Sequence, residues 1–226
     1  MKRIDHKYLK IQTKKVLIKF GADDFSAESV SRGLTETSLR GVDSHGIRLL
    51  PHYLNALKNG RINGNPKFDI IQTFPAFVGL QADNAFGHAA GYKSIEIGIE
   101  LANKYGIGAI SVFNSSHPGA MASFSLEAAR QGYCSFSFTN ADSLLQSYNG
   151  KKSFFGTNPI CFGAPTGTDI PFILDTSVSV LNRGKIRLAA KIGKKIPSGV
   201  ALDKFGKPTI DPIKALSGVQ LPIGGY

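Results

Sequence analysis

Apolar side chains in the first part of the chain recur at the three- and four-residue spacing that amphipathic helices require. The pattern predicts one helix within residues 4–20, a second that Ser26 caps, and a third that ends at Gly60. Gly41 interrupts the pattern, so the polar residues just after it should lie between two helices. We therefore expect residues 1–75 to form a helical segment at the start of the chain.

Beyond this segment, short apolar runs bounded by glycine and proline alternate with helical patterns, which is typical of an α/β protein. A buried strand at 107–113, a helix at 118–130 and a strand at 133–139 predict a strand-helix-strand crossover. We therefore expect residues 76–226 to form an α/β domain with a mixed sheet. The other elements predicted in this part are strands at 68–73, 76–81, 160–164 and 171–175 and a helix at 88–105 that stops at Gly106.

The chain of 226 residues has a formal net charge of +11, which favours anionic partners of any kind. The densest basic stretch runs from Arg183 to Lys195, but it contains no aromatic side chain that could stack on a nucleic-acid base. This composition favours a solvated helical face over a nucleic-acid contact. A basic nucleic-acid-binding protein is the lowest-ranked of the hypotheses for this chain.

The hydropathy and the cysteine content of the chain indicate the cellular compartment in which we expect it. No apolar run approaches the ~20 residues that cross a bilayer, and the basic N-terminus lacks the apolar core of a secretory signal. We therefore expect a cytoplasmic protein without a membrane segment. The two cysteines, Cys134 and Cys161, stand in apolar surroundings and form no Cys-x-x-Cys pair, so we expect buried thiols rather than a zinc cluster or a disulfide framework.

The first cluster with catalytic chemistry is Asp43-Ser44-His45-Gly46, which Arg48 follows closely. Histidine changes charge near neutral pH, so His45 could deliver a proton to a developing alkoxide while Ser44 orients its ring. The guanidinium of Arg48 has the planar fork that holds a carboxylate through two hydrogen bonds. The same residues could instead form an ordinary loop in which Asp43 or Ser44 caps the next helix, and both interpretations stay open.

A second histidine, His117, follows the predicted strand 107–113 in the loop Asn114-Ser115-Ser116-His117-Pro118-Gly119. Open α/β sheets bind ligands at the carboxyl ends of their strands, where the first backbone N–H groups of a helix favour anions. The alternative is that Ser116 or His117 only caps a helix that begins at Pro118. The two interpretations are equally compatible with the sequence.

Other classes of site find less support. Gly106-Ile107-Gly108 opens a strand instead of following one, so it is not a standard dinucleotide-binding loop. No Gly-x-Ser-x-Gly elbow of a hydrolase occurs. The histidines also lack the close spacing of metal ligands, so no metal is expected; they are His45, His52, His88 and His117.

The chain carries, in this order, the motifs Asp43-Ser44-His45-Gly46, Asn114-Ser115-Ser116-His117-Pro118-Gly119, Gly156-Thr157-Asn158-Pro159, Asp175-Thr176-Ser177 and Arg183-Gly184-Lys185. Together they resemble the malate/L-lactate dehydrogenase family of NAD(P)-dependent oxidoreductases. The likeness extends over nearly the whole chain, up to the terminal Pro222-Ile223-Gly224-Gly225. It implies an α/β fold that is not a Rossmann fold, and a homodimer whose subunits together build the cofactor site.

The resemblance implies that His45 donates the proton, that Ser44 forms a relay beside it, and that His117 lies at the active site. It also implies NAD or NADP as the cofactor. Arg48 would hold the substrate carboxylate, although many relatives carry this arginine one residue later, where this chain has Leu49. The residues expected to contact the cofactor are His117, Pro118, Gly119, Ala120, Met121, Asn140, Thr157, Asp175, Thr176, Ser177 and Arg183.

The leading hypothesis is hydride transfer between NAD(P)H and a small 2-oxo acid, or the reverse from a malate- or lactate-like 2-hydroxy acid, with His45 as the proton donor. Relatives continue beyond the point at which this chain ends, with a glycine-rich segment and further helices. The resemblance therefore also predicts an α/β domain shortened at its C-terminal end. The alternative hypothesis is an inactive or weakly active fragment of such an enzyme.

Overall fold

The computed structural model describes residues 3–224. Met1, Lys2, Gly225 and Tyr226 lie outside this range, and Gly225 is the last residue of the terminal motif. Two short 3-10 helices, Asp43–His45 and Ile47–Leu49, link the second and third α-helices. The α-helices are α1 (His6–Lys19), α2 (Asp24–Leu39), α3 (Leu50–Lys58), α4 (Gly87–Tyr105), α5 (Ala122–Arg130), α6 (Arg183–Lys191) and α7 (Pro212–Leu216). The strands are β1 (Asp69–Phe74), β2 (Phe77–Ala85), β3 (Ala109–Ser115), β4 (Ser135–Phe138), β5 (Ser143–Gln146), β6 (Ser153–Gly156), β7 (Ile160–Ala164), β8 (Phe172–Thr176), β9 (Ala201–Leu202) and β10 (Val219–Gln220).

The chain divides into two compact units. The first unit comprises the residues up to Ser135 together with Phe162–Ile173, and the second comprises Phe136–Cys161 together with the residues from Leu174 onwards. These units divide the chain at other places than the predicted boundary between residues 75 and 76. That boundary stays a prediction about domain organisation.

The helices α1 to α4 form close to where the apolar pattern predicts them, whereas α5 begins four residues later than predicted. Leu17 of α1, Leu34 of α2 and Tyr53 of α3 are fully buried in one cluster, which removes their apolar surface from water. The predicted cap of α2 is wrong, because the N-cap is Asp23, whose Oδ1 accepts a hydrogen bond from the backbone N–H of Ser26 at 2.7 Å. Ser26 lies inside the first turn, where its own backbone needs that acceptor.

The sheet of the first unit has the order β1-β2-β3. Strand β2 pairs antiparallel with β1 and parallel with β3, and α4 is the connection between the two parallel strands. The crossover is therefore β2-α4-β3 rather than the predicted one through α5, because β4 belongs to a different sheet from β3. The buried character predicted for β3 is also wrong: six of its seven residues are exposed, while Val78 and Leu80 of β2 are buried in a cluster with Ile97 of α4.

The second unit contains a four-stranded sheet in the order β6-β5-β10-β9. Its apolar cluster includes Ile186 of α6 and Ala215 of α7, both fully buried. A third sheet has the strand order β4-β7-β8. The strands and the two later helices together give an α/β architecture with mixed sheets.

Two further predictions concern single features. Cys161 is buried as predicted, but Cys134 is exposed because it lies in the connection between α5 and β4, and the two cysteines form no disulfide with each other. Among residues 3–224, no helix combines the length and the apolar character that a bilayer span requires.

Candidate active site

His45 is the last residue of the 3-10 helix Asp43–His45, and it is half-buried. A residue of α2 holds this segment in place. Ser38 Oγ accepts a hydrogen bond of 2.9 Å from the backbone N–H of Ile47, two residues after the histidine. Gly46 packs so closely on Ser38 that any side chain at residue 46 would overlap the Ser38 hydroxyl. Beside the ring, Ser44 Oγ lies 2.9 Å from Nδ1 of His45, as the proposed relay requires.

His117 lies in the loop that leaves β3, and its ring stacks on that of His45. The ring centroids are 5.7 Å apart and the planes differ by 20°. The loop is held by Ser116, whose Oγ accepts the backbone N–H of Gly87, the first residue of α4, at 3.1 Å. The structure therefore brings together the two histidines that the sequence places far apart.

The alternative in which Ser116 or His117 caps the next helix is wrong. Helix α5 begins at Ala122 rather than at Pro118, and its N-cap is Met121. Gly119 has a φ of +77°, a left-handed conformation that interrupts a right-handed helix. The loop 116–120 is therefore irregular backbone, and Ser116 serves the start of α4 instead.

Tyr53, fully buried in α3, contacts the His117 ring, with the ring centroids 6.1 Å apart. Its Oη lies 2.7 Å from Nδ1 of His117 and 3.4 Å from the carbonyl oxygen of the same residue. Burial raises the pKa of the Tyr53 phenol above its usual range, because the phenolate would be charged in an apolar surrounding. The phenol is therefore protonated at physiological pH.

His88, near the start of α4, lies behind Tyr53 and is fully buried. Its ring meets that of Tyr53 edge to face with centroids 5.3 Å apart, and neither of its nitrogens has a hydrogen-bond partner among residues 3–224. Burial first, and then the neighbouring His117 and His45, lower the pKa of His88 to about 3. His88 is therefore neutral at physiological pH and acts as a flat, apolar packing group.

Two glycines make room for His88. A Cβ at Gly33, in the interior of α2, would overlap Cδ2 of the imidazole, and one at Gly119 would lie 2.5 Å from Nε2. The backbone of α2 and the His117 loop thus approach the ring from two sides. No larger residue than glycine fits at either position unless the ring moves.

We expect Gly33→Ala to lower the free energy of unfolding by roughly 1–3 kcal/mol, the cost of overpacking a core. Alanine favours an α-helix over glycine by only about 1 kcal/mol, so the overlap with the buried ring should outweigh the gain in helix propensity. Urea titration measures the change. Gly98→Ala in α4 is the matched control, because its Cβ would meet only the terminal Cδ1 of Ile110, at 3.0 Å. Equal stabilities of the two variants would contradict the packing described for His88.

Arg48 lies in the 3-10 helix Ile47–Leu49 rather than in the first turn of α3, and it is exposed. Its role as the carboxylate-binding residue stays a prediction. His52 of α3 is also exposed, and its ring stands edge to face with that of His117 at a centroid distance of 6.4 Å. The surface next to His117 therefore carries a third imidazole. Within the described residues, no three His, Cys, Asp or Glu side chains are grouped so that they could hold a metal ion.

The cofactor residues expected in the first unit differ in exposure. His117 is exposed and Pro118 half-buried, whereas Gly119, Ala120 and Met121 are buried. A ligand can therefore reach this loop at its beginning, next to the stacked imidazoles. The contacts predicted for the three buried residues stay predictions.

The remaining cofactor residues lie in the second unit. Asn140 is exposed in the loop after β4, and the half-buried Thr157 accepts the backbone N–H of Val178 through its carbonyl oxygen, at 2.9 Å. Asp175 is exposed near the end of β8, and Ser177 Oγ lies 2.9 Å from Ser179 Oγ. Asp175 and Ser177 carry side chains that could cap a following helix, but neither is the N-cap of α6, the next helix in the chain.

Thr176 closes β8, and its hydroxyl donates to the carbonyl oxygen of Ser177 at 3.0 Å. The N-cap of α6 is Asn182, whose Oδ1 accepts the backbone N–H of Lys185. Arg183 is the first residue of that helix, and it donates from Nη2 to the carbonyl oxygen of Leu216 at 2.8 Å. Burial and the adjacent Arg187 lower the pKa of Arg183, which marks a concentration of positive charge at the start of α6.

Sequence reasoning missed Tyr53 and His88. Tyr53 stands between the apolar positions of α3, and its spacing indicated only the core. His88 belongs to the small-residue run Gly87-His88-Ala89-Ala90-Gly91, and such a run signals close packing of a helix start. The arrangement as a whole can donate, accept and position protons, because two stacked imidazoles each have a hydroxyl at Nδ1.

A sequence profile of the malate/L-lactate dehydrogenase family matches residues 4–226. The chain is 37% identical over 213 residues to a malate dehydrogenase of Pyrococcus abyssi, a match that covers 94% of this chain and 59% of that protein. It is 34% identical over 205 residues to a (2R)-3-sulfolactate dehydrogenase (NADP(+)) of Chromohalobacter salexigens. This match covers 90% of this chain and 61% of that protein. The chain thus spans about three fifths of the length of these relatives.

The same likeness appears in three dimensions. The solved structure of a sulfolactate dehydrogenase from Methanocaldococcus jannaschii superposes with a TM-score of 0.92 at 36% sequence identity. That superposition covers 98% of this chain and 64% of the other. The predicted α/β fold is therefore confirmed. By sequence over almost its entire length, and by fold, this chain belongs to the malate/L-lactate dehydrogenase family.

Proposed function

We propose that this chain provides the proton-transfer site of an NAD(P)-dependent oxidoreductase that interconverts a small 2-oxo acid and the corresponding 2-hydroxy acid. The observation that supports the proposal most directly is the stacked pair of His45 and His117, 5.7 Å apart, with a hydroxyl at Nδ1 of each ring. Because the chain belongs to a family of dehydrogenases, we assign to this pair the proton transfer of a dehydrogenase reaction.

In the direction of reduction, His45 donates the proton that the carbonyl oxygen of the 2-oxo acid requires. Ser44 lies against Nδ1 of His45, where it orients the ring and can return a proton to it. His117 is positioned next to the same ring and supplies a second polar contact to the substrate. Arg48, exposed two residues beyond Gly46, holds the substrate carboxylate through its planar guanidinium.

NAD or NADP, when bound, supplies or accepts the hydride. The side chains of the second unit have the chemistry to hold such a group, because Thr157, Thr176 and Ser177 carry hydroxyls that can bind ribose and amide groups. Arg183, at the start of α6 and close to Arg187, offers positive charge for a phosphate. We propose these residues, together with Asn140, Asp175 and the loop from His117 to Met121, as the cofactor contacts.

A homodimer and a cytoplasmic location are part of the same proposal. The resemblance of the motifs to the family supports the dimer, because in that family a second subunit helps to build the cofactor site. Size-exclusion chromatography with light scattering measures the dimer directly. A monomeric mass over the whole concentration range would remove the dimer from the proposal.

The experiment that tests the function mixes the purified protein with NADH or NADPH and a panel of 2-oxo acids that yield malate, L-lactate and sulfolactate on reduction. We expect loss of the absorbance of the reduced cofactor with at least one acid. A melting curve with cofactor provides a readout that does not depend on turnover, since a ligand at a hundred times its Kd stabilises a protein by about 2.7 kcal/mol. The absence of both oxidation and thermal stabilisation would overturn the proposal.

A further inference from the structure

His117 lies on an exposed loop, yet one of its ring nitrogens has a rigid partner. Tyr53 Oη lies 2.7 Å from Nδ1 of His117, and the tyrosine itself is fully buried. The phenol ring is enclosed by Phe86, at a centroid distance of 6.2 Å, and by His88, at 5.3 Å, both in edge-to-face contact. The phenol therefore cannot follow movements of the loop, and its hydroxyl defines one place for the imidazole.

The two acceptors near the phenol indicate the direction of this hydrogen bond. A phenol that keeps its proton can donate it as well as accept a hydrogen bond, and Nδ1 of a neutral imidazole accepts when the ring proton is on Nε2. The other acceptor near the hydroxyl is the carbonyl oxygen of His117, at 3.4 Å, a much longer contact than the 2.7 Å to Nδ1. The short contact should therefore take the phenol proton.

We infer that Tyr53 is a positioning residue that holds His117 in the Nε2–H tautomer, so that His117 donates a hydrogen bond to an oxygen of the 2-oxo acid. This inference rests on the proposed function for the identity of the ligand, and on the contacts of Tyr53 for the tautomer. It assigns different tasks to the two stacked rings. His45 carries the transferred proton, whereas His117 keeps its proton and orients the substrate.

The surroundings of the pair favour this division. His45 faces His117 from the 3-10 helix Asp43–His45, and His52 faces it from α3. His88 of α4 contacts Tyr53 through its ring, and its nitrogens form no hydrogen bond with any residue in the range 3–224. Since His88 does not accept the phenol proton, the Tyr53 hydroxyl can donate its hydrogen bond to Nδ1 of His117.

Nitrogen-15 NMR of the imidazole rings tests the inference on the intact chain without any need for turnover. In the wild type we expect the His117 signals of a neutral ring with its proton on Nε2, assigned through their loss in His117→Gln. Tyr53→Phe keeps the ring of residue 53 and removes the hydroxyl, so we expect a mixture of both tautomers for His117. Where reduction of a 2-oxo acid is measurable, kcat/KM should fall roughly tenfold in this variant, as for the loss of one hydrogen bond.

Tyr92→Phe is the matched control, because Tyr92 is also a buried tyrosine and its Oη has no hydrogen-bond partner within the described part of the chain. This variant should leave the tautomer of His117 unchanged. A wild-type spectrum with the proton on Nδ1, or an unchanged tautomer in Tyr53→Phe, would overturn the inference. If Tyr53→Phe does not fold, the wild-type tautomer decides alone. Cofactor oxidation with an unchanged tautomer would reject only the inference. The expected tautomers, with neither cofactor oxidation nor thermal stabilisation by the cofactor, would reject only the proposed function.

Discussion

Replacing His45 with asparagine is expected to lower kcat for a 2-oxo acid by roughly 10²–10⁴-fold, the usual contribution of one positioned general acid. Asparagine keeps a polar atom near the position of Nδ1, next to Ser44, but it cannot donate a proton to an alkoxide. The stack on His117 is lost, yet His45 is only half-buried, so the fold should survive. Steady-state oxidation of the reduced cofactor measures the effect.

His6→Asn is the control for this substitution, because His6 is the exposed first residue of α1. It should leave kcat unchanged. The stabilisation of His45→Asn by the reduced cofactor in a melting experiment should equal that of the wild type, since the change removes a proton donor rather than a cofactor contact. A kcat within twofold of the wild type would show that the proton comes from another group.

Acidification is expected to destabilise the protein through His88. The pKa of this residue is about 3 in the folded protein, against an ordinary value of 6.5, so the unfolded chain binds the extra proton between these two pH values. Stability contributed by the neutral ring is fully present above pH 6.5 and is lost as the pH falls towards 3, by about 1.4 kcal/mol per pH unit. Below pH 3 both states are protonated, and this contribution becomes constant.

Carboxylates also titrate in this range, so the effect of His88 must be isolated by comparison. His88→Leu replaces the ring with an apolar side chain that does not titrate, and His6→Leu makes the same change at an exposed position. Urea titrations of the wild type and both variants between pH 7.5 and 4.5 give the three stability curves. The difference between wild type and His88→Leu should decrease with falling pH, whereas parallel curves would mean that His88 is protonated in the folded protein without cost.

Residue types and their order along the chain predicted both histidines of the site. The residue types of the Ser44-His45 pair indicate proton transfer. His117 lies after a strand, where α/β proteins bind ligands. Their approach in space depends on contacts between distant parts of the chain, such as that of Ser116 with Gly87, which no local pattern contains. The sequence indicated a buried strand at 107–113 because its residues are apolar, but exposure is a property of the whole sheet.

Tyr53, Gly33 and Gly119 show where prediction from sequence ends. A tyrosine in an amphipathic helix indicates core packing, and nothing local distinguishes one that also reaches a loop histidine. A helix-interior glycine such as Gly33 indicates only a weaker helix until its neighbour is known, and here that neighbour is His88. The positive φ of Gly119 likewise explains why α5 starts at Ala122, although Pro118 is a favourable first residue of a helix.

The two histidine loops share one means of attachment. In each, a serine hydroxyl accepts a main-chain N–H across a chain reversal, with Ser38 holding Ile47 and Ser116 holding Gly87. Irregular backbone secured in this way has its dipoles oriented before any substrate arrives. In the proposed reaction, this would avoid the reorganisation that water undergoes around a developing negative charge. Two small side chains outside the histidine pair would thus decide how well prepared the proposed catalytic pair is.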